Sequence, residues 1–541
     1  MKKNTDKNDR QKKIQSKKKE IMVKKKVELE NEKKILLAKR RKKFVLFFLI
    51  WISIFAIGIV RKTFQNDTFY TIEIGELILD NGIDMMDHFS FHNNLAYTYP
   101  HWLYDLFIYI SYMIGGYSAI YVSSMVLLIL LLIAVFKTNL VVTKNNNYSV
   151  AAFATFVCAL AVGGFATARA QLVSFLIFAL EVLFIECFLN SGKKRYLFGL
   201  LILSFLICNI HVATWPFYFI VYLPYLGEFV ASWFFSKIKI KNENKLIKFL
   251  KSKFVLEQNK RVGYLFITML LSILTGFMTP LGTTPFTYSI NMSLSNAQEY
   301  VKEHQRLGWA ESPFTIIIAF ETIFLAIFSK VKLRDLFMVG GLVFMSIISL
   351  RHWSLLALIG TICFSRIFSM FFETFDVNAD EKVLPVLSKK WMFAFSFILV
   401  IVGALLMLNG QVKKEFVDDE AYPVDAVKYI KENLNTNEIR LFNDYNFGSY
   451  LLHQDIPVFI DSRAELYTSE YSGFDYDIFD DYFFIANNYS QKFDFYGITH
   501  ALIYKKTADD TFSQMYALLS QDKGYKSLYE DDNFALYEKR S

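Results

Sequence analysis

Long apolar runs alternate with short polar stretches along this chain, and eleven runs stand out: residues 44–60, 117–136, 149–166, 172–189, 196–212, 215–233, 262–278, 314–329, 336–350, 353–371 and 392–408. A helix needs roughly 17 to 25 mainly apolar residues to cross the hydrocarbon of a bilayer. The pattern therefore predicts a polytopic α-helical membrane protein of about eleven spans. A twelfth stretch, HWLYDLFIYISYMIGG at 101–116, is short and carries Asp105. Whether it crosses decides the side on which every later loop lies. From residue 410 onward the periodicity becomes that of a water-exposed domain. YPVDAVKYIKENL predicts an amphipathic helix, IRLFN and VFID short buried strands, TFSQMYALLSQ a second helix, and YKSLYED with FALYEK a terminal hairpin.

Charge settles the twelfth stretch, because cytoplasmic loops carry the excess of Lys and Arg. If 101–116 crossed, the loops KTNLVVTKNNN, SGKKRY and KIKIKNENKLIKFLKSKFVLEQNKR, the last with nine basic residues, would all lie outside. If it lies in the interface as an amphipathic helix, these loops and KVKLR fall inside with the amino-terminal tail. The expected arrangement is eleven spans in the cell (plasma) membrane, amino terminus cytoplasmic, carboxyl-terminal domain extracytoplasmic. The expected divisions are a basic tail at 1–43, a transmembrane domain at 44–409 with its first outer loop at 61–116, and a small α/β domain at 410–541.

Composition agrees: 54% of residues are hydrophobic, 17% aromatic and only 20% charged. The net charge of +8 is local, since nineteen Lys and Arg lie in the first 43 residues and the rest of the chain is mildly acidic. No aromatic residue interleaves those lysines before Phe44. The tail thus reads as a topology signal that touches anionic lipid, not as a nucleic-acid arm. Its length, and the lack of a small-residue cleavage site after Val60, predict a retained anchor and not a signal peptide. Cys158, Cys187, Cys208 and Cys363 all fall in apolar runs without metal-ligand spacing and read as small core residues.

This topology sorts the polar residues at the span ends. Asp67, Asp84, Asp87, His88, His101, Asp105, Arg169, Gln171, Asn209, His211, Glu303, His304, Arg351 and His352 all land on the outer face. Polar groups at that depth are costly unless paired or facing a wet cavity, so their convergence predicts a site. Carboxylates, histidines, two arginines and nearby aromatics suit glycosyl transfer from a lipid-linked phosphosugar. A carboxylate takes the acceptor proton, Arg or His stabilises the departing phosphate, and Trp or Tyr packs on the sugar.

The motifs resemble a family. DTFYTIEIGELILDNGIDMMDHFSF resembles the signature of bacterial membrane proteins of the GT-C glycosyltransferase class, with Asp67, Gly75, Gly82, Asp87 and Ser90 in register. ARAQLVSFLIFAL, through Arg169, Gln171 and Ser174, and CNIHVATW, through Asn209 and His211, are similar to later motifs of that class. So are TPLG, VKEHQ, SLRHWSLLAL, and the pair FNDYNFGSYLLHQDIPVFIDSRAELY in the carboxyl-terminal domain. Thr71 stands where the family usually has His, His101 where many members have Glu, and His304 where they have Trp. The resemblance implies a GT-C-like bundle with interfacial helices in its first outer loop. It also implies a polyprenyl-phosphate-sugar donor, an unidentified glycan, lipid or protein acceptor, and an acidic residue essential in that loop, best matched by Asp67.

The expected catalytic residues are Asp67 as base or acceptor-orienting carboxylate, with Asp87 second. Arg169, Gln171, His211, Arg351, His352, His101, Trp102 and Glu303 are expected to bind substrate. Asp67 at the start of a helix is also a natural amino-terminal cap. Arg463 in FIDSRAELY, at a strand end with Asp461 and Glu465, is expected to pair internally with one of them. The resemblance admits a divalent metal, yet no ligand spacing such as H-x-x-x-H appears, so no metal ligand is assigned. Two rivals are a non-catalytic protein that binds envelope glycans and a transporter. The latter would depend on Glu181 or Glu321 within spans, but no repeated halves are visible.

Overall fold

The computed structural model describes residues 2–237, 252–255, 257–295, 313–507 and 511–540. Glu303, His304 and most of the basic loop at 237–261 lie outside these residues. Each of the eleven apolar runs coincides with helix. Seven helices among the described residues are long and apolar enough to cross a membrane: Ile21–Ile59, Trp102–Val142, Tyr148–Phe165, Ala170–Ser191, Val212–Ser236, Leu350–Thr374 and Lys390–Val412. The remaining runs fall on shorter helices, Arg195–Ile210, Val262–Phe277, Pro313–Phe328 and Leu333–Ile348. The chain is a multi-pass membrane protein.

The first helix, α1, spans Lys2–Ile59, so tail and first span are one rod of 58 residues. At about 1.5 Å per residue it is about 87 Å long. The next helix, α2 (Asn66–Asn81), ends where Gly82, at φ +80°, turns the chain and donates its N–H to the Ile78 carbonyl. The helix α3 (Trp102–Val142) is broken at Gly115 and Gly116, the latter at φ +59°. The short stretch 102–114 is therefore a separate rod from the helix that follows it. It packs tightly on α2: a Cβ on Gly75 would lie 2.3 Å from the Asp105 carbonyl oxygen. The helix α2 does not lie bare on the interface. Its Phe69 is fully buried, with ring centroids of Tyr422 and Tyr450 at 5.1 and 5.3 Å.

Further helices are α4 (Tyr148–Val162), α5 (Ala170–Ser191), α6 (Arg195–Ile210) and α7 (Trp215–Lys237). Two-residue strands β1 (Phe254–Val255) and β2 (Val331–Lys332) pair in parallel. The carboxyl-terminal domain holds β3 (Leu441–Asn443), β4 (His500–Tyr504), β5 (Tyr525–Glu530) and β6 (Phe534–Lys539), in the order β3-β4-β6-β5. The β3–β4 pair is parallel and the others antiparallel, with β5 and β6 forming the expected terminal hairpin. The expected strand at VFID is instead a single bridging residue, Val458, paired to Leu441 on one side and to Ser90 of the first outer loop on the other. That loop thus adds the outermost rung to the domain's sheet. One hydrophobic core accordingly runs from Phe64 through Tyr97 and Leu281 to Tyr537, joining loop to domain, while a second fills the helix bundle.

Candidate active site

A cavity of about 480 Å³ opens between the ends of the membrane helices and the carboxyl-terminal domain. Asp67, His101, Arg169, Gln171, His211 and Arg351 all line it, so six expected site residues converge from five separate stretches of chain. Each sits at a helix end. Asp67 is in the first turn of α2, His101 caps α3, Arg169 and Gln171 flank the start of α5, and His211 follows the last residue of α6. Arg351 lies in the short turn Leu350–His352 after the helix Leu333–Ile348. The amino ends of α2, α3 and α5 therefore border one space, and the positive ends of their dipoles favour an anion there.

Local hydrogen bonds fix this arrangement. Thr68 donates its hydroxyl to the Ala168 carbonyl at 3.2 Å, tying α2 to the turn before α5. The Val212 N–H donates to the Pro100 carbonyl at 3.0 Å, holding His101 beside His211 with ring centroids 4.7 Å apart. Gln171 donates to the Ser354 hydroxyl at 3.2 Å.

Asp67 is not a cap. Gln65 holds the cap position, and the Asp67 carboxylate instead pairs with Arg169, Oδ2 to Nη2, at 2.6 Å. The Ser174 hydroxyl donates to the Ala170 carbonyl at 3.1 Å, so it accepts from His211 Nδ1 at 2.8 Å. His211 is then a neutral imidazole whose Nε2 lone pair faces Arg351 Nη2 at 3.5 Å. Burial, with Arg351 and Arg169 nearby, pushes the His101 pKa down to about 3, so this imidazole is neutral as well. The floor of the cavity thus carries two guanidinium groups and two uncharged rings.

Three other expected residues stand apart from the wall. Asp87 is fully buried, its Oδ1 2.7 Å from Arg463 Nη1 and its Oδ2 accepting from the Ser90 hydroxyl at 2.6 Å. It anchors the domain and does not meet Asp67. Trp102 donates its indole N–H to Asn209 Oδ1 at 3.1 Å, bracing α3 against α6. The His352 ring turns back to the Met345 carbonyl at 3.1 Å and packs on Phe217. Arg463 pairs with Asp461 through two hydrogen bonds of 2.9 and 2.6 Å, as expected, and adds Asp87 as a second partner.

The opposite wall was not foreseen. Tyr288, Tyr445, Asn446, Ser462, Glu465, Phe479, Tyr482 and Phe483 line it, nearly all from the carboxyl-terminal domain. Burial raises the Glu465 carboxyl above the usual carboxylate range, although Tyr288 donates to it at 3.1 Å and Arg463 and Arg351 oppose the shift. Its available signal in sequence was the aromatic and acidic run FDYDIFDDYFF at 474–484. Among the described residues no group of three or more His, Cys, Asp or Glu converges as metal ligands do.

No protein-family model matches the sequence, and no curated protein matches it. Solved structures share the fold, among them the following two. The archaeal oligosaccharyltransferase AglB from Archaeoglobus fulgidus, in complex with an inhibitory peptide and a dolichol-phosphate, aligns over 86% of this chain and 70% of its own, with TM-score 0.53 at 11% identity. ArnT from Cupriavidus metallidurans, bound to undecaprenyl phosphate, aligns over 92% of this chain and 98% of its own, with TM-score 0.51 at 12% identity. The chain therefore shares the fold of these two proteins, a polytopic helical body with a carboxyl-terminal α/β domain.

Proposed function

We propose that this protein is a glycosyltransferase that moves a sugar, with inversion, from a polyprenyl-phosphate-linked donor to an acceptor at the outer face of the plasma membrane. One observation carries the reading. Among the described residues Arg351 has no carboxylate in ion-pair reach; it faces the cavity beside the lone pair of the neutral His211. With three helix amino ends around it, this guanidinium is a seat for a phosphate group. The AglB and ArnT structures named above hold a dolichol-phosphate and undecaprenyl phosphate, which supports the same class of donor here.

Asp67 then stands at the reacting carbon. The acceptor hydroxyl oxygen attacks the anomeric carbon on the face away from the phosphate, and its proton passes to the Asp67 carboxylate. The carbon–oxygen bond to the phosphate breaks, and the electron pair leaves with the polyprenyl phosphate. Arg351 and Arg169 stabilise the charge that gathers on the phosphate oxygens. Because Arg169 holds Asp67 at 2.6 Å before substrate enters, a bound phosphate draws this guanidinium away and frees the carboxylate to act.

The test compares lipid-linked and cell-surface glycans by mass spectrometry in cells with the gene, without it, and with Asp67→Asn. Loss of one glycan on deletion, restored by the unaltered chain and not by Asp67→Asn at equal expression, is expected. Restoration by Asp67→Asn, or an unchanged glycan profile on deletion, rejects the reading.

A further inference from the structure

The two walls of the cavity differ in chemistry. The helix ends supply Arg169, Arg351 and neutral imidazoles, whereas the carboxyl-terminal domain supplies a run of aromatic rings. Tyr445 and Phe479 meet edge to face with centroids 5.6 Å apart, Phe479 and Phe483 at 5.1 Å, and Tyr482 and Phe483 at 5.1 Å. We infer that this aromatic wall is the acceptor subsite and that the acceptor it reads is a saccharide without anionic groups. The inference rests on the glycosyltransferase reading and names the second substrate of the same cavity.

Three observations converge on that class. Tyr445, Tyr482 and Phe483, packed around the buried Phe479, give the cavity apolar ring surface, and Asn446, Ser462 and Glu465 beside them offer a few directed polar groups for hydroxyls. The wall offers an anion no available cation. Arg463, among the described residues the only Lys, Arg or His that this domain adds to the cavity lining, is already held by Asp461 and Asp87, and Glu465 stands beside it. A phosphorylated lipid headgroup or an acidic glycan therefore finds no unpaired guanidinium on this wall. Among the described residues β3 is already flanked by Val458, and Val458 by Ser90, so β3 offers a peptide strand no free edge beside the wall.

Phe483 is the residue to alter, since it lines the cavity and is 40% exposed, so its removal leaves the core intact. The full chain in lipid nanodiscs is applied to an array of neutral, amino-bearing and acidic oligosaccharides, and its binding of undecaprenyl phosphate is measured by native mass spectrometry. Binding to neutral or amino-bearing oligosaccharides is expected, weakened about fivefold or more by Phe483→Ala and kept by Phe483→Trp, with lipid binding unchanged in both. Preference for acidic oligosaccharides, or glycan binding indifferent to Phe483→Ala, overturns the inference. Lipid binding without glycan binding overturns the inference and leaves the transferase reading standing. Glycan binding without lipid binding overturns the transferase reading, and the acceptor assignment with it.

Discussion

The Asp67 carboxylate is held by the Arg169 guanidinium at 2.6 Å, two groups brought together from the start of α2 and the start of α5. A base locked to a cation cannot accept a proton until the cation finds another anion. Replacing the carboxylate by an amide removes the base and keeps its shape. Asp67→Asn is expected to lower sugar transfer roughly 100- to 10,000-fold, with the melting temperature of the solubilised protein nearly unchanged. Transfer within about threefold of the unaltered chain, on the scale of general-base effects, would exclude Asp67 as the proton acceptor.

Arg351 should separate from Asp67 in a binding measurement. A charge-assisted hydrogen bond to a phosphate contributes roughly 1.5 to 3 kcal/mol, or about 10- to 100-fold in affinity. Arg351→Gln is therefore expected to weaken undecaprenyl phosphate binding by that factor, read by native mass spectrometry. Asp67→Asn should leave it no weaker. Equal loss in both variants would mean that the phosphate sits elsewhere.

The membrane body was legible because lipid demands it: eleven runs long enough to bury a helix coincide with helices, and the glycines at 115 and 116 break α3 at the end of the twelfth stretch. The helix-end residues of the site were legible for the same reason, as polar groups at costly depth. What stayed hidden is the second wall. Tyr288 meets Glu465 only through the docking of a distant domain, and no local periodicity records a contact between segments so far apart. Asp87 illustrates the limit. Its place in a loop motif suggested chemistry, while its partner, Arg463, lies near the other end of the chain.

Gly448 has a purely steric task. A Cβ there would lie 2.0 Å from the Ile460 carbonyl oxygen and 2.8 Å from the Asp461 Cα, both backbone atoms that cannot yield cheaply. Since Asp461 orients Arg463, Gly448→Ala is expected to displace the wall of the cavity and destabilise the domain by about 1 to 3 kcal/mol, the usual range for overpacking. Faster proteolysis between 410 and 541 than in the unaltered chain would register it. Equal proteolysis rates would show that the segment relaxes.

The same anchor predicts an acid limit for the domain. Burial alone would raise the Asp87 pKa, but the Arg463 guanidinium and the hydrogen bonds from Ser90 outweigh it and hold the carboxyl below its ordinary value. A carboxyl with a lower pKa folded than unfolded contributes stability that is complete above the unfolded value, about 3.9, and is lost as pH falls through the folded one. The domain should therefore keep its attachment at pH 5 and loosen only in stronger acid. Asp87→Asn leaves Arg463 with Asp461 alone and is expected to cost about 3 kcal/mol at neutral pH, the lower end for breaking a buried pair. It should also flatten the dependence of melting temperature on pH below about 4, because the group that titrates there is gone. A variant that melts like the unaltered chain at pH 7, or that keeps its full acid slope, would show that the loop is held by the Ser90–Val458 bridge and not by charge.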